Sequence, residues 1–297
     1  MKSLTDVLKP HAAAMDEWFR KGAQDAFAGR SRTADHVMAR MLYADHRPAF
    51  GFENMPAPLL TWPKHQHKLQ MGTMAAYGLT LQHWVTRISP KLVVNSCPHA
   101  GDCVAVCVLN RGHGNRNDVI QGRKSKTSFL VQQPRAFCYL LGYELAMAVM
   151  RDGTILWRPN VNSDARWEEL IPSAFDGSIF GTRLIAYDYT KDAERVLHTD
   201  GWVALNYRVS YSWNENSEEK PVRDFRARGG SIAVVTSRRK GEPLRDLPLN
   251  LRAFGYTLHL DADKTDEWMF EPGAIGDLSA KGKARSLRGK SDFVVMV

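Results

Sequence analysis

Three of the four cysteines, Cys97, Cys103 and Cys107, stand in one short segment, SCPHAGDCVAVC, with the spacing C-x5-C-x3-C. Pro98 and Gly101 suit a loop that doubles back, and Cys103 and Cys107 share one face if the segment turns helical. Thiolates are soft ligands that select zinc or iron–sulfur clusters over hard cations. Three of them without a second close pair suit a [4Fe–4S] cluster that keeps one iron free of protein thiolate. The alternative is Zn2+ in a Cys3His site completed by His99 or His113. A third reading leaves the thiols without metal, as small apolar groups. Cys138 differs: it lies between Phe137 and Tyr139 and precedes Leu140 and Leu141, which places it in the core.

The cysteine segment directly follows a β-branched run, KLVVN, and other polar clusters follow other strand-like runs. After ILWR comes Pro159 to Asp164, after LIA comes Tyr187 to Lys191, and after YRVSYS come Trp213, Asn214 and Glu215. Thr236 and Ser237 follow IAVV, and Asp261, Asp263 and Asp266 follow YTLHL. Chemistry in α/β sheets collects at the carboxyl ends of strands, so these clusters are expected to share one site. Around the open iron we expect Asn162, Asp164, Tyr187, Asp188 and Lys191. Asp164 and Asp188 would orient a ligand amine or hydroxyl, Lys191 would pair with a carboxylate or phosphate, and Tyr187 or Tyr189 would stack on a ring. The competing reading makes Ser163 or Asp164 the cap of a helix running to about Leu170.

Two basic runs stand out. Arg111, Arg116, Arg123, Lys124 and Lys126 face only Asp118 in sequence, and Gly112, Gly114 and Gly122 suit an anion cradle. Lys281, Lys283, Arg285, Arg288 and Lys290 lie in a stretch without acids, as a loop that could meet nucleic-acid phosphate. P-loop, zincin and nucleophile-elbow motifs are absent, which disfavours those chemistries.

The elements that must position these residues read as α/β: an incomplete or irregular βα barrel, partly TIM-like, behind a mainly helical N-terminal extension. Residues 1–89 form that extension and 90–297 the core. Met15 to Ala28 and Ala34 to Tyr43 have helical spacing, with Trp18, Phe19, Phe27, Val37, Met38, Met41 and Leu42 as buried positions. Asn54 to Pro63 is extended around its prolines, and a helix is expected again over Met74 to Arg87. Pro134 to Met150 is the clearest helix. Strands are expected at Lys91–Asn95, Ile155–Arg158, Leu184–Tyr187, Arg208–Trp213, Ile232–Val235, Tyr256–Leu260 and Phe293–Val297. Asn214 to Arg228 reads as weak helix.

Composition bounds the rest. The 297 residues are 44% hydrophobic and 10% aromatic, enough for a sizeable core and against disorder throughout. A net charge of +8 permits a polyanionic partner without defining one. No apolar run is long enough to span a bilayer, so no membrane partner is expected. Asp6 and Lys9 interrupt what a signal peptide would need, which implies a reducing cytoplasm and too few cysteines for a disulfide scaffold.

The ordered series SCPHAGDCVAVCVLNRGHG, GRKSKTSFL, PRAFCYLLGYEL, WRPNVNSDARWEE, LIAYDYTK and YRVSYSWNE resembles the gene product 88 family of actinobacterial phages, from about Lys91 onward. That resemblance implies a phage origin, a cysteine loop and residence in the cytoplasm of an infected bacterium, with an unknown host protein or small molecule as partner. It carries no biochemical activity. In architecture the chain is also similar to radical S-adenosylmethionine enzymes, which place three cysteines just after the first strand of a partial βα barrel. The similarity implies a [4Fe–4S] cluster whose open iron receives the amino and carboxylate groups of S-adenosylmethionine. The usual C-x3-C-x2-C spacing is C-x5-C-x3-C here, and no aromatic residue flanks Cys107. The functions expected are therefore a cluster protein acting in redox, sensing or host takeover, a radical enzyme, or a basic nucleic-acid-binding protein with a structural metal.

Overall fold

The structure is a computed structural model that describes residues 1–46, 58–63, 72–107, 112–198, 206–253, 255–256 and 258–297. In chain order the strands are β1 (Lys2–Ser3), β2 (Leu60–Thr61), β3 (Ala75–Leu79), β4 (Val85–Ser89), β5 (Leu92–Asn95), β6 (Ile155–Arg158), β7 (Leu184–Thr190), β8 (Tyr207–Ser212), β9 (Ile232–Thr236), β10 (His259–Asp261) and β11 (Ile275–Ser279). The helices are α1 (Leu4–Leu8), α2 (Ala12–Phe27), α3 (Ala34–Asp45), α4 (Cys103–Val106), α5 (Asn117–Gln132), α6 (Pro134–Asp152), α7 (Trp167–Leu170), α8 (Ala193–His198), α9 (Glu219–Ala227) and α10 (Leu249–Arg252).

Eight strands form one open sheet in the order β10-β11-β9-β8-β7-β6-β3-β2. Only β2 runs antiparallel to its neighbour. From β3 through β9 the parallel strands lie side by side in chain order, the layout of a βα barrel that stops short of closure. The expected α/β architecture with a helical N-terminal region is therefore present, as an open sheet.

Alternation along the strands separates two faces. Ile155 and Trp157 of β6 join the main core with α2 and α6, whereas Leu156 joins Tyr187, Ala233 and Trp268 on the other face. The first core is thick because α2 and α6 approach closely. Gly22 and Gly142 make this approach workable: a Cβ at either would overlap the carbonyl oxygen of Tyr139 or Phe19 respectively. Cys138 is fully buried in this core, as its neighbours in sequence imply.

Several local expectations give way. Met74 to Arg87 is strand rather than helix, supplying β3 and β4. Alanines favour helix locally, but β3 is buried between β2 and β6 in a sheet covered on both faces, and that packing decides. The cysteine segment follows β5, which belongs to a separate three-stranded sheet, β1-β5-β4, rather than to the main sheet. Phe293 to Val297 forms no strand and meets the sheet through a single bridge, Thr236 to Val295. Conversely, β11 was hidden by Gly276 and Asp277. Gly276 makes room for the Trp268 ring, and Asp277 is paired with the buried Arg238 at 3.4 Å.

Val37, Met38 and Met41 are exposed rather than buried. Ser163 and Asp164 do not cap α7, which starts after Arg166. The first basic run is not a loop: from Asn117 it lies in α5, Arg123 is buried, and Arg116 pairs with Asp118 at 3.0 Å. Arg111 and Asn54 to Ala57 lie outside the described residues, as does the side chain of His113, whereas Pro58 to Pro63 are described and contain the extended β2. Asn214 to Arg228 carries a regular helix, α9.

Candidate functional site

The carboxyl ends of β6, β7, β8, β9 and β11 open into one cavity of about 380 Å3, lined by Arg158, Tyr189, Lys191, Ser212, Val235, Leu278 and Ser279 among others. All three clustered cysteines line it as well. The cysteine segment reaches the cavity across the carboxyl end of β5, and its short helix α4 packs against the turn at Gly282–Leu287. Val106 buries itself there with Ala280, Ala284 and Phe293, so this side of the cavity is apolar.

Four anchors hold the cysteine segment. Ser96 donates its backbone N–H to the Trp84 carbonyl at 2.9 Å, and Trp84 itself takes a left-handed φ of 57°. That conformation is costly for a bulky residue and places the indole beside the cavity. Asp164 donates its N–H to the Ser96 carbonyl at 2.7 Å. The Cys97 thiol donates to the Asn162 carbonyl at 3.3 Å. Further along, Glu215 accepts the Asp102 N–H at 2.6 Å beside Gly101, whose φ of 52° and lack of Cβ admit the carboxylate.

The expected ligand-binding residues divide into two groups. Asn162, Asp164 and Lys191 line the cavity with the cysteines. Tyr187 and Asp188 do not. Tyr187 is fully buried against Phe270, with burial pushing its phenol far up. Strand alternation turns Asp188 to the opposite face, where it accepts hydrogen bonds from Asn160 N at 2.9 Å, Asn160 Nδ2 at 2.7 Å and the Tyr207 hydroxyl at 2.9 Å. Burial pushes the Asp188 carboxyl up to about 6, opposed by Arg195 3.6 Å away. Asp188 therefore fixes the Asn160 turn from beneath and does not face the cavity.

Asp164 is a positioning residue too. Oδ1 accepts from Thr190 at 2.7 Å and from Arg195 at 3.1 Å, and Oδ2 accepts from Lys191 N at 3.1 Å. One side chain thus ties the β6 loop to the end of β7, while its backbone holds the cysteine segment. Reading strand ends found this set, but Arg158, Ser212, Ser279, His83, Trp84 and Phe293 of the lining were missed. Ser212 and Arg158 are the last residues of their strands and were legible in principle; Ser279 ends β11, for which the sequence carries no strand pattern.

Burial pushes the Cys97 thiol up to about 12. Among the described residues no three His, Cys, Asp or Glu side chains meet at a single metal-binding point. His99 faces Asp192 at 3.7 Å.

The second basic run borders the cavity. Lys281 lines it and pairs with Asp263 at 2.6 Å, and Arg288 donates to the Arg238 carbonyl at 3.4 Å. Lys283, Arg285 and Lys290 are exposed. Within the run, Gly282–Leu287 forms a 3-10 turn that carries Lys283 and Arg285. Among the described residues no helix is long and apolar enough to cross a membrane.

The family model described as gene product 88 matches residues 60–295, from β2 to the last turn, and the chain belongs to that family. Comparison with curated proteins and with solved structures yields no match for this chain.

Proposed function

We propose that this chain is a phage-encoded iron–sulfur protein, holding a [4Fe–4S] cluster on Cys97, Cys103 and Cys107 and acting in redox chemistry, sensing or host takeover. One observation carries the reading: three cysteines that are close in sequence line a single cavity at the carboxyl ends of parallel strands. When bound, such a cluster supplies an electron and an iron with an open position. The chain's own residues do the rest. Val104, Val106 and Phe293 give the cavity an apolar lining beside the cysteines, Asp164 and Glu215 hold the segment in place, and Asn162 and Lys191 present polar groups to a ligand.

A second reading, in which the ligand is S-adenosylmethionine and the protein a radical enzyme, is favoured by the order of the sheet. In the chain the cysteine segment, which follows β5 of the smaller sheet, falls between β3 and β6, adjacent parallel strands at the start of the in-order series.

Protein purified without oxygen should contain about four iron and four sulfide per chain. Cys138→Ser should retain them, because Cys138 sits in the helix core away from the cavity, whereas Cys97→Ser, Cys103→Ser and Cys107→Ser should each lose iron. Stoichiometric zinc, or iron that survives all three substitutions, overturns the proposal. Electron paramagnetic resonance of the reduced protein decides the second reading: S-adenosylmethionine must change the spectrum and release deoxyadenosine.

A further inference from the structure

We infer that the buried guanidinium of Arg123 is the counter-charge of the metal group held on the cysteine wall, and that it raises the reduction potential of that group. The inference rests on the cluster reading above and names the residue that tunes it. Arg123 lies in the middle of α5 and is 4% exposed. Its Nη1 finds no hydrogen-bond partner among the described residues, and its Nε donates to a neutral acceptor, Gln82 Oε1, at 3.4 Å. The other deeply buried guanidiniums that border the sheet ends have carboxylates: Arg195 pairs with Glu168 at 2.7 Å and Arg238 with Asp261 at 2.9 Å. Burying a cation is costly unless an anion stands beside it. The acidic group whose charge reaches Arg123 is Cys107.

Hydrogen bonds fix Arg123 behind the cysteine segment. Gln82 gives its N–H to Thr127, one turn along α5 from Arg123, at 2.8 Å, and its carbonyl accepts the Ser96 hydroxyl at 2.5 Å. Ser96 leads directly into Cys97. Val108 to Arg111, which follow Cys107 in sequence, include no acidic residue.

The rest of the wall is prepared in the same sense. With its left-handed φ of 57°, Trp84 turns its N–H toward the Cys97 sulfur while its carbonyl holds Ser96. That donor gives the costly backbone conformation a purpose. The carboxylate that acts on Cys97, Asp164, is itself paired with Arg195 at 3.1 Å. Three metal-bound thiolates outweigh the positive charge of an oxidised [4Fe–4S] core, and reduction adds one more negative charge. A fixed cation beside that wall therefore stabilises the reduced form more than the oxidised one.

The test compares Arg123→Met, Arg123→Lys and Lys124→Ala, the last removing an exposed cation from the same helix. In the iron-loaded chain, Arg123→Met should make reduction at least tenfold less favourable, a fall of about 59 mV in a one-electron midpoint potential. Arg123→Lys should restore most of that fall, and Lys124→Ala should leave the midpoint unchanged. In the metal-free chain, Arg123→Met removes a buried cation that has no anion, so its Tm should be no lower than that of the native sequence. An arginine that merely braces α5 would give the reverse: an unchanged midpoint and a lower metal-free Tm, or a metal-free variant that fails to fold. Either result overturns the inference while leaving the cluster reading intact. A native chain that takes up no iron overturns both.

Discussion

Replacing Arg195 with Met tests the charge network beneath the site. Arg195 is 1% exposed and grips Glu168 with two hydrogen bonds, Nε to Oε1 at 2.7 Å and Nη2 to Oε2 at 2.8 Å. It also donates to Asp164 at 3.1 Å, approaches Asp188 at 3.6 Å and donates to the Tyr207 hydroxyl. One cation therefore serves three carboxylates, two of which position the cavity loops. Met keeps much of the volume and removes the charge. Breaking a buried ion pair from one side costs about 3–5 kcal/mol, against a total stability of about 5–15 kcal/mol for a folded domain. The variant should fold with most of its margin gone.

The loss should depend on pH in a defined direction. Without Arg195 the Asp188 carboxyl, already raised by burial, loses the cation that opposes that rise and is pushed further above its unfolded value. A raised folded value gives stability that is present at low pH and is lost as pH climbs through it. The deficit of Arg195→Met should thus be greatest near pH 8 and shrink toward pH 5. Urea unfolding at both values measures it. A deficit below about 1 kcal/mol at pH 8, or one that is equal at the two pH values, would show that packing and not charge sets the effect.

Asp188→Asn should flatten the native pH profile: with its carboxyl at about 6 in the fold, stability falls between pH 4 and pH 7 by up to about 3 kcal/mol, and the variant should lose that slope in urea titrations. Gly101→Ala should cost about 2–4 kcal/mol, from the left-handed backbone and from the displaced Glu215 carboxylate, and should speed hydrogen exchange at the Asp102 amide. An unchanged exchange rate there would count against the anchor. Gly142→Ala gains about 1 kcal/mol of helix propensity, yet overlap with the Phe19 carbonyl should leave a net loss of about 1–3 kcal/mol in thermal unfolding.

Local sequence determined much of this protein. Helical spacing marks α2, α3 and α6, because apolar residues recurring along a helix need no knowledge of their partner. Short β-branched runs define β6 to β9, and the polar residues after them contain Asn162, Asp164 and Lys191. Grouping of the cysteines was equally plain, since their spacing is local. Only the tertiary structure decided the remainder. β3 carries alanines and a glycine that say nothing of a strand until β2 and β6 flank it, and β11 is a strand because Trp268 and Arg238 fill the places its Gly276 and Asp277 leave. The same holds for side-chain direction. Asp188 and Tyr189 are adjacent in sequence, but the pleat sends one beneath the sheet to Arg195 and the other to the cavity. A strand end shows which residues are near a site, whereas the register and twist of the whole sheet select those that face it.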